Sequence, residues 1–137
     1  MKTKIKIFFL VAFALSILSL YAKPILTPTN KKVKKITVTT ETSIPQCTAR
    51  GFDNKIILIT SKYCPHCKEA KKIINPIIKK LKLKSNYAIL DITKDADRNL
   101  LEMNGIRAHY LPTLIINCKA YVGLKSKEKY TALFKPK

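Results

Sequence analysis

The chain has 137 residues, which is enough for one domain with a single core and too few for two. The lack of tryptophan and the presence of only three glycines argue against a long, turn-rich β protein. A formal net charge of +19 fits a nucleic-acid, anionic-membrane or acidic partner, but lysines spread over every segment favour a lysine-rich background composition.

Residues 1–22 have the layout of a secretory signal peptide. Three lysines precede an almost wholly apolar run over residues 7–20, and Ala22 offers a small residue before a cleavage site. The run is shorter than the roughly 20 residues of a bilayer-spanning helix, although an uncleaved membrane anchor is an alternative. We expect export to the periplasm or another extracytoplasmic compartment, where disulfides persist.

Residues 23–54 differ in composition from residues 55–137. They hold three prolines, a basic cluster over residues 31–35 and a threonine-rich run over residues 37–42, and few of them suit a core. Residues 36–39 alternate as a short edge strand would, and a flexible spacer is the other interpretation. We therefore expect a tether over 23–54 and a folded domain over 55–137.

From residue 55 onward the hydrophobic pattern predicts alternating strands and helices. Strands are predicted over 56–60, 87–92, 113–116 and 120–122, with helices after Cys67, over 95–103, and from a cap at Ser126 to about residue 134. Pro76 should kink or divide the first helix. The order β-α-β-α-β-β-α indicates a mixed sheet, because strands linked by helices tend to pair in parallel and the last two form a hairpin.

The motif Cys64-Pro65-His66-Cys67 lies where the first of these strands meets the first helix. Two cysteines delivered to the first turn of a helix are typical of a thiol–disulfide exchange site. With Tyr63 before it, the motif resembles the Tyr-Cys-Pro-x-Cys site of glutaredoxins. Leu111-Pro112-Thr113, just before a strand, resembles the second signature of the thioredoxin superfamily, in which a cis proline faces the cysteines. The resemblance implies a thioredoxin-like fold, with a central mixed sheet flanked by helices, over roughly residues 55–134.

Several positions depart from the family pattern. Leu58 stands where thioredoxin has a buried acid, and Tyr63 replaces the usual tryptophan; both favour the glutaredoxin side. Residues 123–126 lack the Gly-Gly and the acidic helix start with which glutaredoxins hold glutathione, which speaks against glutathione as a ligand. The Pro-His pair resembles that of the DsbA-type periplasmic oxidases, whose inserted helical domain is missing here.

Each motif residue has an expected role. Cys64 is the expected attacking thiol, because unpaired N–H groups at a helix N-terminus favour the thiolate. Cys67 continues the apolar stripe of the helix and is the expected buried, resolving thiol. Pro65 suits the first turn, where its missing N–H costs little. His66 can stabilise the Cys64 thiolate by a hydrogen bond, which makes the disulfide a stronger oxidant; an exposed bystander is the alternative.

The resemblance assigns substrate binding to Tyr63, Leu111 and Pro112. A cis bond at Pro112 would bring the backbone of Leu111 beside Cys64, where an extended peptide can pair; an ordinary trans turn is the alternative. His109 lies near this loop, and we favour a solvated histidine there.

Cys47 and Cys118 are expected at the pole opposite the motif. In the predicted fold the first strand runs toward the motif, so Cys47 precedes the far end of that strand, and Cys118 follows an antiparallel strand that ends there. We predict a structural disulfide Cys47–Cys118. Two free thiols or a second redox pair are the alternatives.

The sequence therefore predicts an exported thiol–disulfide oxidoreductase that acts on protein substrates and exchanges electrons with a redox partner protein. The direction of electron flow is open: the Pro-His pair favours oxidation, and the small size and glutaredoxin-like surroundings suit a reductase. The expected redox group is the Cys64–Cys67 disulfide, with no cofactor and no metal. We expect a monomer that binds no nucleic acid, with membrane association through the N-terminus or the basic surface as an open option. The alternatives are a module that binds a soft metal such as Cu(I) and a non-enzymatic thioredoxin-like interaction domain.

Overall fold

The computed structural model describes residues 25–29 and 32–135, so the predicted signal peptide lies outside the described residues. Within these ranges the strands are β1 (Ile36–Val38), β2 (Thr42–Ser43), β3 (Ile56–Thr60), β4 (Tyr87–Asp91), β5 (Ile106–Ala108), β6 (Thr113–Ile116) and β7 (Lys119–Val122). The helices are α1 (Pro65–Lys80), α2 (Asp95–Met103) and α3 (Lys127–Leu133), and a 3-10 turn, Lys84–Asn86, precedes β4. None of the helices in this part of the chain has the length and apolar character needed to cross a membrane.

Five of the strands form one mixed sheet in the order β2-β7-β6-β3-β4. Strand β3 pairs in parallel with β4 and antiparallel with β6, while β7 pairs antiparallel with both β6 and β2. The predicted mixed sheet flanked by helices is therefore confirmed, and the arrangement is compatible with a thioredoxin-like fold. Strand β5 was not predicted, and it pairs in parallel with β1 in a separate two-stranded sheet.

The hydrophobic core has two parts, one on each face of β3. Every residue of β3 is buried, and alternate residues point to opposite faces. One face packs under α1 and α3, through Ile56, Leu58, Ala70, Ile74, Ile77, Ile78, Leu114, Ile116, Tyr130 and Phe134. The other face packs under α2, β5 and the N-terminal segment, through Leu26, Val38, Ile44, Phe52, Ile57, Ile59, Leu90, Leu101, Ile106, Ile115 and Ala120.

Helix α1 runs without a break through Pro76, so the expected division of this helix is wrong. A proline removes the hydrogen bond to the carbonyl four residues earlier, which here belongs to Lys72. Both Lys72 and Pro76 are exposed, so water can bond to that carbonyl.

The segment before residue 55 contributes to the core, so the expectation that few of its residues suit a core is wrong. Leu26, Val38, Ile44 and Phe52 are buried at 0 to 4% exposure. The edge-strand interpretation of residues 36–39 is closer to the structure than the flexible spacer, because Ile36–Val38 forms β1. These apolar residues are widely separated among polar ones, so they show no periodicity, and their partners lie far along the chain.

Arg50 joins this segment to the rest of the domain. Its side chain is fully buried, and its guanidinium donates to four backbone carbonyls, those of Lys34, Pro45, Asn104 and Gly105. Burial lowers the pKa of Arg50 from its usual value. The carbonyls of Asn104 and Gly105 follow the C-terminus of α2, the negative end of the helix dipole, which favours a cation there.

Replacing Arg50 with methionine tests this contact. The change keeps most of the side-chain volume but leaves buried carbonyls without donors, so we expect the free energy of unfolding to fall by about 3 kcal/mol. Denaturant unfolding followed by circular dichroism measures it. Arg107→Met is the matched control: Arg107 is 66% exposed and pairs with Glu102 at 3.6 Å, and its loss should cost about 0.5 kcal/mol or less. Equal losses in the two variants would contradict the proposed role of Arg50.

Candidate functional site

Strand β3 ends four residues before Cys64, and a short turn carries the chain from the strand into α1. The backbone N–H of Cys64 donates to the Ser61 carbonyl at 3.2 Å, and the hydroxyl of Ser61 accepts from the Tyr63 N–H at 3.2 Å. Cys64 is the N-cap of α1 with extended backbone, and Pro65 begins the helix, as predicted. These contacts fix Cys64 at the N-terminus of α1.

Cys64 and Cys67 form a disulfide with their Cα atoms 5.2 Å apart. Cys67 is fully buried, whereas Cys64 is partly exposed. The Cys64 sulfur accepts from the backbone N–H of Cys67 at 3.1 Å, so one of the unpaired N–H groups of the first turn points at it. The geometry gives one partly exposed cysteine and one fully buried cysteine, with the partly exposed Cys64 at the positive end of the helix.

Three further residues of the motif region are open to solvent. His66 and Pro65 are exposed on the first turn of α1. Tyr63 is 76% exposed beside the disulfide, and the ammonium of Lys62 lies 4.7 Å from the centre of the Tyr63 ring. A large aromatic side chain is therefore available to a partner next to Cys64.

The Leu111–Pro112 peptide bond is cis, as the resemblance implies. Pro112 is buried and its carbonyl accepts from Gly123, while the Thr113 hydroxyl donates to the Tyr110 carbonyl at 2.7 Å. Because Thr113 pairs with Ile59, this loop lies at the same end of the sheet as the β3–α1 turn.

The residues before Pro112 differ in exposure. Leu111 is half-buried against the core. His109 and Tyr110 are exposed, and their ring centres lie 4.7 Å apart in an edge contact.

Asp91 is a residue of this region that the sequence analysis missed. It ends β4, the parallel neighbour of β3, and its carboxylate accepts from the hydroxyl and the N–H of Thr93 at 2.6 and 3.0 Å. The pKa of Asp91 is lowered first by the Thr93 hydroxyl and further by the backbone of Lys62 and the charge of Lys71. The sequence could have predicted the position of Asp91, because an acid at the carboxyl end of a strand parallel to β3 must lie near the turn that precedes Cys64.

Cys47 and Cys118 form the second disulfide, with Cα atoms 5.6 Å apart, so the predicted pairing is confirmed. Ile116, two residues before Cys118, pairs with Ile56 at the start of β3, which puts this disulfide at the end of the sheet opposite Cys64. The carbonyl of Cys118 also accepts from Ile44 just after β2. The disulfide thus ties the N-terminal segment to the β6–β7 hairpin.

The search for a metal site and the comparisons with known proteins both gave negative results. The described ranges contain no group of three or more His, Cys, Asp or Glu side chains arranged to hold a metal ion. Comparisons with family models, curated proteins and solved structures found no match to this chain.

The two disulfides should differ in what their removal does. The Cys47–Cys118 bridge spans a sequence separation of 71, so Cys47→Ala with Cys118→Ala should cost about 4 kcal/mol of unfolding free energy. Removing the Cys64–Cys67 bridge, with a separation of three, should cost about 2 kcal/mol. Non-reducing denaturant unfolding measures both.

The same Cys47/Cys118 variant separates a structural bridge from a redox relay. Because the bridges lie at opposite ends of the sheet, the glutathione ratio that half-reduces Cys64–Cys67 should stay unchanged. A clear shift in that ratio would support coupling between the two pairs and contradict a purely structural bridge.

Proposed function

We propose that the chain is a thioredoxin-like protein thiol–disulfide oxidoreductase with Cys64–Cys67 as its redox group. The observation that carries the proposal is the asymmetry of this disulfide, in which a reachable Cys64 caps a helix and a fully buried Cys67 lies one turn behind it. Exchange needs one thiol that can attack or be attacked and a second, protected thiol to resolve the mixed disulfide. The cis Pro112 loop at the same end of the sheet agrees with the family resemblance.

In the oxidising direction a substrate thiolate attacks the sulfur of Cys64. The Cys64–Cys67 bond breaks, Cys67 leaves as a thiolate, and a mixed disulfide joins the substrate to Cys64. A second substrate thiolate attacks the substrate sulfur of that bond, the substrate disulfide forms, and Cys64 leaves as a thiolate. Two electrons have passed to the protein, and a redox partner protein accepts them to restore the disulfide. The same steps in reverse reduce a substrate.

Oxidation is the favoured direction in this proposal. The Cys64 sulfur already accepts an N–H at the positive end of α1, and this arrangement stabilises the thiolate of the reduced protein. A more stable reduced form makes the disulfide a stronger oxidant. Exposed His66, next to both cysteines, adds a second donor in the reduced state.

An oxidising compartment suits the proposal. All four cysteines are in disulfides, and such bonds persist in exported proteins and are rare in the cytosol. The signal-peptide pattern of residues 1–22, which does not involve the cysteines, also supports export to an oxidising compartment.

The first test traps the mixed disulfide. Reduced Cys67→Ala protein, mixed with insulin as a disulfide-containing protein, should accumulate a covalent adduct on a non-reducing gel, because the resolving thiol is gone. Cys64→Ala is the matched control and should give no adduct, because its remaining thiol is buried. Adducts through Cys67 alone, or wild-type protein that exchanges with no dithiol or disulfide, would overturn the proposal.

The second test concerns His66. Its replacement by alanine removes a donor to the Cys64 thiolate, and hydrogen bonds to charged groups are worth about 1.5–3 kcal/mol. The reduction potential should therefore become about 30–60 mV more negative, as measured by equilibration with glutathione. His109→Ala is the matched control, since this exposed histidine follows β5 rather than the motif, and it should leave the potential unchanged. An unchanged potential in His66→Ala would mark His66 as a bystander.

A further inference from the structure

The outer surfaces of α1 and α3 form one continuous layer over the sheet. Both helices pack on the same side of β3, where Ala70 and Ile74 of α1 and Tyr130 of α3 are buried in one cluster. The two helices also contact each other. Their solvent-facing residues, with those of the turn after α1, therefore share one side of the molecule.

This side carries an unusual concentration of positive charge, which we call the basic face. Its exposed residues include nine lysines and two acids, Glu69 and Glu128; the lysines are Lys68, Lys72, Lys79, Lys80, Lys82, Lys84, Lys127, Lys129 and Lys135. The ion pairs found in the described part of the chain lie elsewhere, as Arg98–Asp95, Arg107–Glu102 and Lys119–Glu41. A lysine-rich background explains the number of lysines, but it does not explain why half of the acids lie on α2 or just before it.

An exposed apolar side chain lies at the edge of the basic face, at the C-terminus of α1. Leu81 caps the C-terminus of α1 and is 44% exposed, with Lys80 before it and Lys82 after it. The hollow beside it is lined by Leu133 at the end of α3 and Lys135 just after it, and also by Ile56 and Asn117 at the end of the sheet. Lysines around an exposed leucine are the pattern of a surface that rests on lipid headgroups with an apolar residue entering the interface.

We propose that the basic face docks this domain on an anionic phospholipid bilayer, with Leu81 at the headgroup boundary. All nine cations are lysines, which act as point charges on a diffuse field of anions, whereas paired recognition of carboxylates favours arginine. Helix α1 offers about 24 Å of such surface, and each lysine near an anionic leaflet adds attraction that salt weakens. The proposal does not depend on the redox chemistry.

Vesicle co-sedimentation with the full chain tests this docking. The probes are vesicles of phosphatidylglycerol mixed with phosphatidylcholine, and vesicles of phosphatidylcholine alone, each at about 0.1 M and 0.5 M salt. The face variant carries Lys72→Gln, Lys79→Gln, Lys80→Gln and Lys82→Gln. The matched control carries Lys32→Gln, Lys34→Gln, Lys35→Gln and Lys94→Gln, which removes the same charge from exposed lysines away from α1 and α3.

We expect the wild type and the control to prefer the anionic vesicles at low salt, and the face variant to bind them at least about tenfold more weakly. Leu81→Ser should weaken binding with no change in salt dependence. Equal losses in both lysine variants would overturn the proposal, because net charge alone would then act. Equal binding to both vesicle types would overturn it too, and so would binding to soluble polyglutamate or RNA with none to anionic vesicles.

Discussion

The buried strand β3 determines where the two disulfides and the cis Pro112 loop lie. Its parallel pairing with β4 brings Asp91 to the end from which the chain turns into α1. Its antiparallel pairing with β6 brings the cis Pro112 loop to that same end and Cys118 to the other. Because both faces of β3 are apolar, its register depends on how closely the side chains on each face fit their two clusters. The cysteine motif and the proline loop are therefore positioned by core packing.

Arg50 solves a different problem, which is how a segment with scattered apolar residues becomes part of a core. A buried cation is costly unless its donors are satisfied. Here the compensation comes from four backbone carbonyls, two in the N-terminal segment and two after the C-terminus of α2. The guanidinium reaches several carbonyls at once because its donors form a rigid fork. Gly105 belongs to the same arrangement: it has a φ of 71°, and a Cβ there would collide with the guanidinium.

The sequence predicted those parts of the fold that rest on local pattern. The run of β3, the apolar stripe of α1 and the Ser126 cap of α3 each depend on neighbouring residues, and each was found. The features that were not predicted depend on residues far along the chain. Strand β5 gains its structure from pairing with β1, since neither three-residue strand is stable alone. Arg50 looked like one basic residue among many, because three of the four carbonyls that it bonds lie 16 or more residues away.

The two disulfides differ in what surrounds their sulfurs. Helix α1, which holds the Cys64–Cys67 disulfide at its N-terminus, also carries part of the basic face. The Cys64 sulfur lies at a helix N-terminus, where its thiolate would be stabilised by N–H groups, and such stabilisation favours reduction and exchange. Cys118 lies in the β6–β7 turn with a positive φ, and Cys47 lies in a turn region after β2, so neither has a helix N-terminus to stabilise a thiolate. A bridge without that stabilisation resists reduction, as a structural tie requires. Helix α1 thus carries the Cys64–Cys67 disulfide at its N-terminus and exposed lysines along its outer side.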